Sequence, residues 1–337
     1  MTAQIKETLQ DGSKTVILKN DELEVWINSK GCTILRLYVK DRDGNSQDVV
    51  LGHPEVEDYE KYVLYLGATA GRVCNRIKKG EFELNGTTYH LPINNGPNSL
   101  HGGIKGFSFA QFDTELPENG VRFHRVSPDM EEGYPGNLDV TIEFTLADHT
   151  LNIHYHAQSD QDTLVNLTNH SYFNLDGEPS YIGDHVLKLA CEEFGCVDSD
   201  GLATGEIRNV EHTPFDFRDE KKIDEAFDDS YDQVQLGTGI DHHFIFNQDH
   251  DQAILFSEKT GIEMSVSTTL PGAQIYSANF LQGEPGKYAK KLPKRSAICI
   301  ETQNMPDDIH INSENPTTLL RKDNVFDSKT SFTFKVR

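Results

Sequence analysis

Apolar and polar positions alternate with period two along most of the chain, and the alternation predicts strand after strand. The clearest run is 138–146. Leu138, Val140, Ile142, Phe144 and Leu146 fall on one face, and Asp139, Thr141, Glu143 and Thr145 on the other. After a tight turn, Leu151, Ile153 and Tyr155 continue the inward face, so this antiparallel pair has one wet side. Asn85-Gly86 joins segments 81–84 and 87–91, and that dipeptide suits a type I′ hairpin turn. Further strands are expected at 14–20, 23–28, 32–40, 107–116, 120–126, 186–189, 213–217, 243–246, 253–257, 262–270, 274–280, 296–302 and 330–336. Residues 221–228 read as a short helix. There is no long 3.6-residue period, no internal repeat and no low-complexity linker. The expected architecture is all-β: a large antiparallel β-sandwich forming a single domain over residues 1–337.

One strand breaks the plain pattern. In LVNLTNHSYFNL, residues 164–175, Val165, Leu167, Phe173 and Leu175 share a face with Asn169 and Ser171. The other face carries Leu164, Asn166, Thr168, His170, Tyr172 and Asn174. It is polar yet holds no Lys, Arg, Asp or Glu, which a solvated face usually has. It therefore reads as the lining of a neutral polar cleft, and such groups offer donors and acceptors to sugar hydroxyls. His170 alone among them moves a proton near neutral pH. A buried structural histidine with both nitrogens satisfied is the alternative.

Charge and cysteine usage narrow the partners. The formal net charge of −23 argues against nucleic acid, since neutralising phosphates needs surplus Lys and Arg, and against an anionic membrane surface. No stretch approaches the roughly 20 apolar residues of a membrane span. The N-terminus lacks a signal-peptide pattern. Cys32, Cys74, Cys191, Cys196 and Cys299 are odd in number and form no CxxC pair. Free thiols without an export signal point to the cytoplasm.

Four further stretches place polar groups in apolar company. In 67–77, GATAGRVCNRI, small residues allow close backbone approach while Arg72 and Arg76 offer planar forks. Arg72 is the candidate donor to sugar hydroxyls or an oxyanion, with a structural ion pair as the alternative. In 94–103, NNGPNSLHGG, a turn-rich loop delivers His101 beside two glycines. In 239–244, GIDHHF, Asp241 sits at a strand start, where its carboxylate could accept two hydroxyls. His242 and His243 alternate faces and cannot both chelate one metal. His154 and His156 share a face but have no evident third ligand, so no metal site is expected. In 296–303, SAICIETQ, Glu301 lies among Ala and Cys, and desolvation would raise its pKa towards a general base's range. One imidazole, one carboxylate and several hydroxyl binders are the equipment for moving protons on a sugar. Asp241 with Glu301 keeps a two-carboxylate glycosidase open.

The chain resembles the aldose 1-epimerases, also called galactose mutarotases, from about residue 30 onward. The motifs that carry the resemblance are GRVCNRI at 71–77, LHGG at 100–103, NLTNHSYFNL at 166–175, DHHF at 241–244, QIYSANF at 274–280 and IETQNMPD at 300–307. The resemblance implies a large antiparallel sandwich with an open cleft, no cofactor, and a free aldose as substrate. Position by position it makes His170 the general acid and Glu301 the general base. Arg72, His101 and Asp241 become sugar-binding residues, and Gln274 and Tyr276 cleft lining. Segment 307–324 departs from the family's shorter pattern. A hexose-6-phosphate epimerase would want an added cationic cluster. A non-catalytic sugar-binding module would need no opposed acid and base. A monomer or homodimer is expected.

Overall fold

The computed structural model describes residues 1–337. Three antiparallel sheets dominate. A nine-stranded sheet runs Asp113–Glu115, Val121–Ser127, Leu138–Ala147, Thr150–Ser159, Val325–Val336, Ile262–Thr268, Ala253–Phe256, Val186–Leu189 and Lys221–Lys222. A six-stranded sheet runs Tyr172–Phe173, Ile298–Gln303, Gly272–Tyr276, Asp241–Phe246, Cys191–Val197 and Ala203–Asn209. A five-stranded sheet takes Thr2–Thr8, Lys14–Lys19, Glu24–Asn28, Thr33–Lys40 and Ser46–Asp48 in sequence order. The inward faces meet in one cluster of 54 buried hydrophobic residues, which includes Val25 and Leu37, Ile142 and Phe332, and Phe244 and Ile300 from the three sheets.

Period two decides what the six-stranded sheet shows to each side. Phe244, Ala273, Ile275, Ile298 and Ile300 enter the core. Their alternates, Asp241, His243, Gln274, Tyr276, Cys299 and Glu301, share the opposite face. Strand register then lines these up in rows. Asp241 pairs with Tyr276, Tyr276 with Cys299, and Cys299 with Tyr172. Beside that row, His243 pairs with Gln274 and Gln274 with Glu301.

Several expectations need correction. Segment 164–175 is not one strand. It breaks into Thr163–Leu164, Thr168–Asn169 and Tyr172–Phe173, each pairing with a different partner. Its face does not all line a cleft, because Asn166 bonds the Asn304 backbone and Asn174 bonds Ser180 and Ser296. Residues 107–116 begin as a 3₁₀ turn, Phe107–Phe109, and only Asp113–Glu115 is strand. Residues 213–217 form no strand, although Phe215 and Phe217 are buried. The expected helix at 221–228 is a two-residue strand followed by a 3₁₀ turn, Ile223–Ala226. Segment 307–324 packs closely: the Asp308 carboxylate accepts Thr318 N–H, and Leu319–Leu320 pairs with Thr163–Leu164.

Candidate active site

His170 and Glu301 meet on the six-stranded sheet, with His170 Nε2 3.5 Å from Glu301 Oε1. Both are buried, at 5% and 2% exposure. The His170 ring lies nearly parallel to Tyr172, centroids 5.1 Å apart, and to Tyr65 at 6.1 Å. Its Nδ1 faces Cys299 Sγ at 3.6 Å. Glu301 Oε1 has the imidazole beside it, while the buried Oε2 has no partner.

His101 arrives on the loop the sequence singled out. Its backbone is left-handed, and Gly102 presses so close to the Gly71 carbonyl that a Cβ there would stand 1.8 Å from the oxygen. That contact holds the loop against residues 71–77. Asn75 and His101 are clasped twice: His101 N–H donates to Asn75 O at 3.0 Å, and Asn75 N–H donates to His101 Nδ1 at 3.2 Å. The His101 ring meets His170 edge-on at 5.1 Å and Tyr65 at 4.6 Å.

Asp241 is half-buried at the start of its strand, and its Oδ1 accepts Gln274 Nε2–H at 2.7 Å. Gln274 Oε1 is buried without a partner. Tyr276 OH accepts the Phe280 N–H at 3.0 Å, and the exposed Phe280 ring stacks on it. His170, Glu301, His101, Asp241, Gln274 and Tyr276 therefore come together.

Arg72 does not join them. Its guanidinium is buried, and it donates to Ser127 Oγ, to the Ser127 and Pro128 carbonyls, and to the Pro135 carbonyl. The sugar-binding assignment of Arg72 is corrected on that ground, since the fork is already occupied. Arg76 takes its place beside the site. It pairs in register with Leu100, the residue before His101, and donates to Asn95 Oδ1 and the Gly201 carbonyl. The sequence displayed both arginines in one motif, and no period distinguishes them because only Arg76–Ile77 is strand. Tyr65 carried no sequence signal at all. Asn75 stood unremarked inside the same motif.

The electrostatics follow from burial first, and then from the charges of Asp241 and Arg76. Burial pushes the Glu301 carboxyl well above the usual carboxylate range; the Asp241 charge adds to this and Arg76 opposes it. Asp241 is raised by burial, against the pull of Arg76 and of the Gln274 bond. Burial lowers His170 to about 4, opposed by its own backbone carbonyl. His101 goes well below its ordinary value, again by burial first. Such a pair favours holding one proton between imidazole and carboxyl, because two or none leaves a net charge in a dry site.

His101, His170 and Glu301 each offer a ligand atom within 4.8 Å of the others, the composition of a His₂Glu metal site. The site sits at the sheet surface, ringed by hydrogen-bonding groups, Asp241, Gln274 and Arg76 among them, and by aromatic rings, and suits a small polyhydroxy ligand.

Comparison with known proteins agrees with this chemistry. The family model for Aldose 1-epimerase matches residues 14–333. The chain is 44% identical to galactose mutarotase from Mus musculus, covering 95% of this chain and 93% of that one, and equally to the Homo sapiens protein over the same shares. Aldose 1-epimerase from Escherichia coli is 33% identical, with 94% and 93% covered. Among solved structures, an aldose epimerase homologue from C. elegans superposes with a TM-score of 0.89 at 30% identity, covering 96% and 99% of the two chains. Galactose 1-epimerase from Lactobacillus acidophilus gives 0.86 at 27%, covering 99% and 98%.

Proposed function

The chain belongs to the aldose 1-epimerase family, and we propose that it interconverts the α and β anomers of free aldohexoses, galactose and glucose among them. The observation that carries the mechanism is the contact of His170 Nε2 with Glu301 Oε1 at 3.5 Å on a buried floor. The pair holds one proton. Moving it from the carboxyl to Nε2 creates a carboxylate and an imidazolium in opposition. Glu301 takes the proton of the C1 hydroxyl while His170 gives its proton to the ring oxygen. The C1–O5 bond breaks and the open aldehyde forms. Rotation about C1–C2 presents the other carbonyl face. The two transfers then run backward and the ring closes as the other anomer. Protons balance, because the pair ends each half-reaction with the one it began with. A positioned acid or base typically supplies about 10²–10⁴-fold.

Arg76, His101, Asp241 and Gln274 hold the hydroxyls, and Tyr276 with Phe280 gives the apolar face of the ring an aromatic wall. With the Arg72 fork committed elsewhere, Arg76 stands without the second cation a phosphate group would want, which favours free sugars over sugar phosphates. Five buried, unpaired cysteines support a reducing, cytoplasmic location. No helix is long and apolar enough to cross a membrane.

Polarimetry on freshly dissolved α-D-galactose and α-D-glucose tests the proposal. The protein should speed the drift to the anomeric equilibrium in proportion to its concentration. An unchanged drift would reject the assignment.

A further inference from the structure

Resting on the reading of this site as one that moves protons, we propose that His101 is held in its Nε2–H tautomer, so that it is a fixed hydrogen-bond donor and the exchange of a proton falls to His170. The two rings stand 5.1 Å apart and both reach Glu301. What separates them is the backbone N–H behind His101, which has no counterpart at His170.

Behind His101, Nδ1 accepts the Asn75 backbone N–H at 3.2 Å. A backbone N–H only donates, so the neutral ring has its lone pair at Nδ1 and its hydrogen at Nε2. A second proton at Nδ1 would break the clasp and leave the buried Asn75 N–H without a partner, an outcome buried backbone groups avoid. His101 therefore offers the ligand a hydrogen that it keeps.

Behind His170 no backbone N–H fixes the ring. Its Nδ1 stands 3.6 Å from Cys299 Sγ, and a thiol both donates and accepts weakly, so this contact suits either tautomer. Its Nε2 stands 3.5 Å from Glu301 Oε1, where a proton can arrive and leave. The groups facing this ring are Tyr65 and His101 from the loops, Tyr172 from its own segment, and Tyr276, Cys299 and Glu301 from the sheet. Cys299 thus backs His170 with a neutral group, whereas a carboxylate there would make the ring more basic.

The same assignment decides the metal question. Three ligand-type side chains converge, but the His101 position presents an N–H where a cation needs a lone pair. The composition of a zinc site is present and its proton arrangement is not.

Histidine-selective ¹⁵N labelling with long-range ¹H–¹⁵N correlation near pH 7 reads both tautomers, with His101→Gln and His170→Gln used for assignment. His101 should give the Nε2–H pattern. An Nδ1–H pattern at His101, or a signal averaged over both tautomers, overturns the inference. Equimolar Co²⁺ added to the unaltered chain should leave the tetrahedral visible bands undeveloped. Tight one-to-one binding that Glu301→Gln abolishes would overturn it too, even if an assignment variant failed to fold. Neither measurement depends on turnover. The Nε2–H tautomer at His101 in a protein that leaves galactose untouched would reject the mutarotase reading and keep this one.

Discussion

At the scale of single residues, the site turns on where one proton sits. Glu301→Gln keeps the shape and can still hydrogen-bond a C1 hydroxyl, but it cannot take and hold a proton. It should lower kcat by about 10²–10⁴-fold with little change in KM, measured by polarimetry with the fold checked by circular dichroism. A rate near normal would make Glu301 a structural group. The neighbours of Glu301 give a sharper test. Asp241 raises its pKa and Arg76 lowers it. Asp241→Asn should therefore move the basic limb of kcat/KM to lower pH, and Arg76→Gln should move it to higher pH. Shifts in the same direction would mean that another group sets the limb. Arg72 belongs in the opposite column. Arg72→Gln breaks buried bonds to Ser127, Pro128 and Pro135, and should cost stability of roughly 1–3 kcal/mol while leaving KM for galactose nearly unaltered in the folded fraction. That contrast also marks the limit of the sequence. Arg72 and Arg76 are the same chemical type four positions apart, and only the turn of an irregular loop sends one inward and the other to the cleft.

At the scale of elements, alternation was a faithful guide wherever a strand has one apolar face. Leu138–Ala147, Thr150–Ser159, Val186–Leu189 and Ile262–Thr268 lie where period two placed them, to within two residues. It failed where both faces are buried, as in segment 164–175. There the polar residues satisfy backbone groups around them, so polarity no longer marks one side. It also failed at 221–228, where charged residues on a turn mimic a helix face. Glu301 and Cys299 were legible as one face of Ile298–Gln303, and the structure adds what register supplies: Gln274 beside Glu301, and Tyr276 beside Cys299. Register depends on pairing between distant segments, which no local pattern encodes. The floor is consequently only as firm as the core beneath it. Ile300 lies between Cys299 and Glu301 and points into the main cluster at 1% exposure. Ile300→Ala should destabilise the protein by about 2–5 kcal/mol, read from denaturant midpoints, and should reduce kcat before it reduces expression of folded protein. A midpoint shift under about 0.5 kcal/mol, the range of ordinary surface substitutions, would show that the strand is not anchored there.

At the scale of the whole molecule, buried imidazoles tie stability to pH. His101, His185 and His242 each accept a backbone N–H, from Asn75, Leu175 and Asp241 in turn. Protonation would break each of these bonds as well as charge a dry site. Burial lowers His170 and His185 to about 4 and His242 and His243 to about 3, and takes His101 well below its ordinary value. The unfolded chain binds these protons from about pH 6.5 downward, near the ordinary histidine value, and the folded chain does not. Over that interval the unfolded state holds more protons, so folding stability falls as pH falls. Each histidine contributes up to about 1.4 kcal/mol per pH unit until its folded value is reached. Glu301 and Asp241 act in the other direction, because their raised values let the folded state take up protons first. Two carboxyls offset part of the effect of five imidazoles. The denaturant midpoint should therefore decline steadily between pH 7 and pH 5, well before most carboxylates titrate. His185→Gln, remote from the proposed chemistry, should flatten the decline by reducing the number of protons taken up on unfolding. A midpoint that is constant from pH 7 to pH 5 would mean that the folded protein takes up as many protons as the unfolded chain over that interval, and the neutral state assigned to these rings would be wrong.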